Sequence, residues 1–181
     1  MIVVVEGIDR VGKTTFCNKL HELTDWPIYK HDNKQFRYED MNPMDETDKM
    51  LQMIDLLDAV DDQLDSHSKG IIFDRFHFSD YAYGCKYRQG YDLMDDIENV
   101  FMIEDRLKEA KQEACLVLLY DEDGPDRASI EHGDDLSWID DMMKRLYEAS
   151  SLRKIKGTYH DTTDMAIALA KAARNLECSK E

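Results

Sequence analysis

The first seventeen residues set the terms for the rest of the chain. Ile2-Val3-Val4-Val5 is an unbroken apolar run, the pattern of a strand buried on both faces. It leads at once into Gly7-Ile8-Asp9-Arg10-Val11-Gly12-Lys13-Thr14, which is G-x-x-x-x-G-K-T. Gly7 and Gly12 carry no Cβ, so consecutive backbone N–H groups can converge on phosphate oxygens. A helix opening at Thr14 adds partial positive charge at the same place. Lys13 supplies a mobile cation for the β- and γ-phosphates, the Thr14 hydroxyl is placed for Mg2+, and Thr15 lies in the same first turn. Strand before and helix after give the loop its required context. Together they point to a nucleoside triphosphate with Mg2+ and to an α/β fold, and they leave the acceptor of the phosphoryl group undefined.

A length of 181 residues suits a single domain, 1–181, with a sizeable core. The net charge of −16 repels DNA, RNA and anionic lipid. No nucleic acid and no membrane are therefore expected as partners. Small-molecule nucleotides are, drawn in by a local cluster of Lys and Arg. The oligomeric state stays open, a homodimer included. Cys17, Cys85, Cys115 and Cys178 are widely spaced and fit neither a zinc pattern nor a disulfide framework. Met1 leads directly into the first strand without a signal peptide, and no apolar run approaches a membrane span, so a cytoplasmic, reducing setting is expected.

Further along, Thr15–Leu23 has helical spacing, and Pro27–Lys30 is a short strand. Residues 31–46 form a polar loop whose cations are Lys34 and Arg37, with Lys30 just before it. Such a loop at the carboxyl end of a strand is where α/β sheets place ligand contacts. Thr47 is the expected N-cap of a helix reaching Asp65, with Leu51, Ile54, Leu57, Val60 and Leu64 as its apolar stripe and a solvated acidic face opposite. Gly70–Phe73 is the third strand, ending in Asp74-Arg75-Phe76. Helices are expected at Ser79–Tyr87, Asp92–Phe101, Glu104–Glu113, Leu136–Leu152 and Met165–Leu176, with strands at Ala114–Tyr120 and, more weakly, Ile155–Tyr159. A charged segment follows at about 124–136, containing Arg127, where the resemblance described below implies a short lid. The alternation of short apolar runs with helices gives a parallel sheet with helices on both faces.

Two segments carry a resemblance. Val5-Glu6-Gly7-Ile8-Asp9-Arg10-Val11-Gly12-Lys13-Thr14-Thr15 is similar to the start of thymidylate kinases, and Phe73-Asp74-Arg75-Phe76-His77-Phe78-Ser79-Asp80-Tyr81-Ala82-Tyr83 resembles that family's D-R-[YFH]-x-x-S-x-x-A-[YF] motif. The resemblance implies a three-layer P-loop NTPase fold, a five-stranded parallel sheet in the order 2-3-1-4-5, and transfer of the ATP γ-phosphoryl group to a deoxynucleoside monophosphate, dTMP or a related dUMP derivative. By position, Asp9 would hold the sugar 3′-hydroxyl and neighbouring arginines, and Arg10 would reach over the transferring phosphoryl. Arg75 would bind the acceptor phosphate, with Arg37 as a second clamp. Asp74 would sit near Mg2+ or orient Arg75, and Ser79 and Tyr83 would line the acceptor pocket. Members with an arginine at the place of Arg10 depend less on lid arginines, and the lid here offers only Arg127.

The chain departs from the family in two respects, the first being that the region after Tyr29 lacks the family's usual Glu-Pro-Gly-like segment. The second lies between Glu39 and Ile72, where it has no Phe, Tyr, Trp or Arg, so the family's usual base-recognition pair is absent. Phe36, Tyr38, the Tyr81/Tyr83/Tyr87 group and Gln52 are alternative contacts for the base. A deoxynucleoside kinase, with Asp32 as the base for a 5′-hydroxyl, is the competing reading. Arg10 and Asp74-Arg75-Phe76 argue against it. A GTPase switch lacks its guanine-reading Asp after Asn33-Lys34, and a kinase acting on DNA is opposed by the net charge.

Overall fold

A computed structural model describes residues 1–30, 42–61, 70–88, 90–121 and 135–178. Of the expected features, the Arg37 and Lys34 loop, Asp32, Phe36, Tyr38, Leu64 and lid residues 124–134 with Arg127 lie outside the described residues.

The sheet has five parallel strands in the order β2-β3-β1-β4-β5: β1 (Ile2–Glu6), β2 (Ile28–Lys30), β3 (Ile71–Asp74), β4 (Ala114–Tyr120) and β5 (Arg153–Thr158). This is the P-loop NTPase topology, as the resemblance implied. Every residue of β1 is buried, and so is β4 from Ala114 to Leu119, because both strands sit in the middle of the sheet with helices packed around it. Each such Val or Leu contributes about 1.5–3 kcal/mol of burial. The edge strands read differently. In β5 the residues Arg153, Lys154 and Lys156 are exposed and Gly157 is buried, the charged pattern that protects an open edge.

The helices are α1 (Lys13–Thr24), α2 (Pro43–Asp61), α3 (His77–Tyr87), α4 (Ile97–Glu109), α5 (Ser137–Ala149) and α6 (Thr162–Cys178). α1 packs on α6, α2 on α4, and α3 on α5. Three of the differences from expectation bear on the site. α2 begins at Pro43, because proline suits the first helical position; Thr47 lies inside the helix, and its hydroxyl donates to Pro43 O at 3.0 Å. α3 begins at His77 rather than Ser79, for a reason given below. One helix, α4, replaces the two expected between Asp92 and Glu113. Asp92 instead organises a turn, its carboxylate accepting from the N–H groups of Met94 and Asp95. Nor is the acidic face of α2 wholly solvated, since Asp55 and Asp58 each accept from Arg106 of α4 at 2.7 Å.

Since all strands are parallel, β1 and β3 end at the same edge of the sheet. The register pairs Val5 with Asp74, so the loop after β1 and the turn after β3 emerge side by side. α2 and α4 each return the chain to the opposite edge, so their N-termini lie at this carboxyl edge too. No helix among the described residues is long and apolar enough to cross a membrane.

Candidate active site

The loop after β1 is shaped by two backbone positions. Gly7 has φ 140°, and a Cβ there would meet Leu119 O at 2.2 Å; Gly12 has φ 89° and forms the N-cap of α1. Lys13, the first residue of α1, is buried. Its Nζ donates to the loop's own carbonyls, Gly7 O at 2.8 Å and Ile8 O at 2.5 Å. Burial lowers its pKa from 10.5 to about 8, against the opposing pull of the Asp74 and Glu6 carboxylates. Thr14 and Thr15 are exposed on the first turn of α1, and Arg10 is exposed at the loop's crest with φ 69°. A buried ammonium, two exposed hydroxyls and the open N-terminus of a helix form a cradle for a polyphosphate.

Beside the cradle lies the turn after β3. Asp74 is buried, and its Oδ1 has no hydrogen-bond partner among the described residues. Its charge is felt by Lys13. A buried carboxylate oxygen without a partner, at a site whose charge reaches Lys13, is an oxygen donor that fits a hard divalent cation such as Mg2+.

Arg75, the next residue, has φ 71°, a left-handed conformation that costs a non-glycine residue about 1 kcal/mol or more. The conformation is held from both sides. The Arg75 N–H donates to Val5 O at 2.9 Å, and the following N–H groups of Phe76 and Phe78 each donate to Glu6 Oε1 at 3.0 Å. Glu6, wholly buried at the end of β1, also accepts from the Ser79 hydroxyl. α3 has no cap from its own N-cap residue Phe76, so Glu6 supplies one from across the sheet, and this is why the helix starts two residues early. The result aims the Arg75 side chain back over the loop, where its Nη2 pairs with Asp9 Oδ1 and its guanidinium lies 5.2 Å from the centre of the Tyr83 ring. Tyr87 stacks on Tyr83 with centroids 6.1 Å apart.

Asp9, Arg75 and Tyr83 are thus brought together beside Lys13 and Asp74. Ser79 is placed differently: it is fully buried and its hydroxyl donates to Glu6. Arg37 and Arg127 lie outside the described residues, and Gln52 is exposed on α2. Sequence reasoning gave Glu6 no role, although a carboxylate closing an otherwise apolar strand was the available signal. It also missed a buried network behind α3. Arg88 Nη1 donates to Asp80 Oδ1 at 2.6 Å and to the Tyr91 hydroxyl at 2.9 Å, and that hydroxyl donates to Asp80 Oδ2 at 2.8 Å. These partners come from two ends of α3 and a turn, so no spacing rule announces them.

No family model matches the chain, and no curated protein matches it either. Among solved structures, the chain is similar to the YorR protein of Bacillus subtilis, in complex with phosphorylated GDP, at TM-score 0.67 and 19% identity over 96% of both chains. It is also similar to a deoxyadenosine kinase from M. mycoides with the products dCMP and a flexible dCDP bound, at TM-score 0.51 and 12% identity over 97% of this chain and 99% of the other. At these identities the likeness is one of fold.

Proposed function

We propose that the chain transfers the γ-phosphoryl group of ATP to the phosphate of a deoxynucleoside 5′-monophosphate, releasing ADP and the diphosphate. The observation that carries this reading is the Asp9–Arg75 ion pair. It ties a cation at the carboxyl end of β3 to the phosphate loop, the position where an acceptor phosphate would face a donor γ-phosphate. The resemblance of the two motifs to thymidylate kinases names dTMP, or a related dUMP derivative, as the acceptor. The solved neighbours that bind nucleotides are consistent with a nucleotide kinase.

The residues divide the work as phosphoryl transfer requires, by positioning and by cancelling charge. Lys13 leaves its loop carbonyls for the β- and γ-phosphates. The loop N–H groups and the N-terminus of α1, with Thr14 and Thr15, hold the triphosphate. Bound Mg2+, held by the Thr14 hydroxyl and Asp74, would neutralise phosphate oxygens and align the triphosphate. Arg75, kept over the loop by Asp9 and braced by Tyr83, receives the acceptor phosphate. An oxygen of that phosphate attacks the γ-phosphorus, and the bond to the β–γ bridging oxygen breaks, leaving ADP. Arg10, exposed and already in the loop, reaches the charge that spreads over the equatorial oxygens. Arg37 and Arg127 serve as the second acceptor clamp and the lid cation.

Paired assays with ATP and either dTMP or thymidine test the reading. Diphosphate formed from dTMP is the expected result. Phosphorylation of thymidine with none of dTMP would transfer the assignment to a deoxynucleoside kinase.

A further inference from the structure

His77 opens α3 directly after Arg75 and Phe76, and its side chain is wholly buried. The rings of Phe76 and Phe78 flank the imidazole, with centroids 5.7 Å and 4.6 Å away. Glu104 faces it from α4, with its own side chain 1% exposed. His77 Nε2 and Glu104 Oε1 are 3.7 Å apart, too far for a hydrogen bond. Neither ring nitrogen of His77, nor Glu104 Oε1, has a hydrogen-bond partner among the described residues. Glu104 Oε2 accepts from the Ser151 N–H at 3.4 Å.

A buried carboxylate with an orphaned oxygen is costly unless a counter-charge reaches it. A proton on His77 supplies that charge, and closing the gap by about 1 Å brings the two groups to the distance of a charge-assisted hydrogen bond. Histidine is the side chain that changes charge between about pH 5 and 8. The other charged groups of this corner are held elsewhere. Glu6 of β1 accepts from the Phe76 and Phe78 N–H groups and the Ser79 hydroxyl. Asp80 pairs with Arg88, and Asp96 accepts from the Asp92 N–H and the Asn99 amide. α2 lines the small cavity beside His77 with Pro43, Thr47 and Met50, and its buried Glu46 pairs with Lys49. α5, which also packs on α3, carries the buried Asp140, and this accepts from Lys144.

The pair lies where it bears on Arg75. The left-handed φ of 71° at Arg75 persists only while its surroundings over-determine it. Glu6 holds the N–H groups on both sides of His77 from β1. A closed His77–Glu104 pair fastens the same point from α4.

We propose that His77 and Glu104 are positioning residues for the acceptor arginine: on taking up a proton, His77 closes on Glu104 and pins the start of α3, which keeps Arg75 over the phosphate loop. For its effect on kinetics the inference rests on the monophosphate-kinase reading above. Without the proton, α3 is fastened by Glu6 alone and Arg75 relaxes from its strained conformation. A displacement of about 1 Å at such a group can cost as much as 10²-fold in rate. Since the proton favours the competent arrangement, acceptor affinity through this pair rises as pH falls.

The test compares the parent with His77→Gln and Glu104→Gln, each checked for folding by circular dichroism, at about pH 5.5 and pH 8. The phosphate of dTMP titrates in the same range, so variant-to-parent ratios are the readout. At the lower pH each variant should have a dTMP KM about tenfold above the parent's, and at the higher pH the difference should shrink to about twofold. The KM for ATP should stay within about twofold throughout. Hydrogen exchange of the Phe76 and Phe78 amides, corrected for intrinsic rates and read against Leu116 and Val117 of β4, needs no substrate. In the parent their relative protection should be several-fold greater at the lower pH, and in either variant that difference should vanish. Should neither variant fold, exchange in the parent decides. A dTMP effect equal at both pH values, an equal effect on ATP, or relative protection that ignores pH overturns the inference. Absence of phosphoryl transfer to every monophosphate would sink the kinase reading, and the exchange result would still decide the role of the pair.

Discussion

Glu6 and Phe76, seventy residues apart, are joined by a 3.0 Å hydrogen bond from the Phe76 N–H to the Glu6 carboxylate. With the matching bond from Phe78, this fastens the start of α3 to the last residue before the phosphate loop. The start of the phosphate loop and Arg75, the proposed acceptor cation, are therefore fastened to one corner of the sheet by buried hydrogen bonds.

Replacing Glu6 tests the corner. Glu6→Ala strands two buried N–H groups and the Ser79 hydroxyl, and should cost about 3 kcal/mol or more in denaturant unfolding. Glu6→Gln keeps one oxygen for the two N–H groups and should cost about 1 kcal/mol. Where Glu6→Gln folds, its acceptor KM should rise more than its ATP KM, because Arg75 is the group released. Equal effects on both would mean that Glu6 supports the fold without aiming Arg75.

Arg75→Ala removes the proposed acceptor cation and leaves the phosphate loop intact. Acceptor KM should rise and kcat fall, by about 10²-fold together, while ATP binding by calorimetry stays within about twofold. Unchanged kinetics with the monophosphate would return Arg75 to a structural partner of Asp9.

Arg10→Gly is informative because φ is 69° at this position. Glycine adopts that conformation without strain, so the variant should be as stable as the parent or more so. A fall in kcat of about 10²-fold or more would then reflect lost stabilisation of the transferring phosphoryl group. A kcat equal to the parent's would assign Arg10 to the solvent-facing surface.

Lys13→Met carries a pH signature. In the nucleotide-free protein burial depresses the Lys13 pKa from 10.5 to about 8, so below pH 8 the folded state bears a charge it holds less favourably than the unfolded chain does. The methionine variant should therefore be the more stable protein at pH 7, by about 3 kcal/mol at most, while losing turnover. From pH 8 to 10.5 the folded protein sheds this proton before the unfolded chain, so the parent gains stability and the gap closes. Chemical denaturation of both proteins at pH 7 and pH 10 measures it. A gap that widens with pH would contradict the buried-ammonium account.

The parts of this structure that were legible in the sequence are those set by local chemistry. The apolar run of Ile2–Val5, the two loop glycines and the Asp74-Arg75 step announce β1, the cradle and the end of β3 through composition and spacing alone. What escaped depends on contacts across the chain. Thr47 looks like an N-cap until Pro43, four residues earlier, is seen to start the helix. Ser79 has the family's spacing for a pocket residue, yet a carboxylate from β1 claims its hydroxyl. Arg88 reaches back to Asp80 because Tyr91 folds over Gly84, an approach that no periodicity encodes.

The account turns on where the γ-phosphoryl group goes. Incubating the protein and Mg2+ with γ-labelled ATP and a panel of deoxynucleoside monophosphates, then separating products by anion exchange, follows it directly. The expected result is label in a deoxynucleoside diphosphate, strongly reduced by Arg75→Ala. Label recovered only as inorganic phosphate, or left in ATP with every monophosphate tried, would contradict the account.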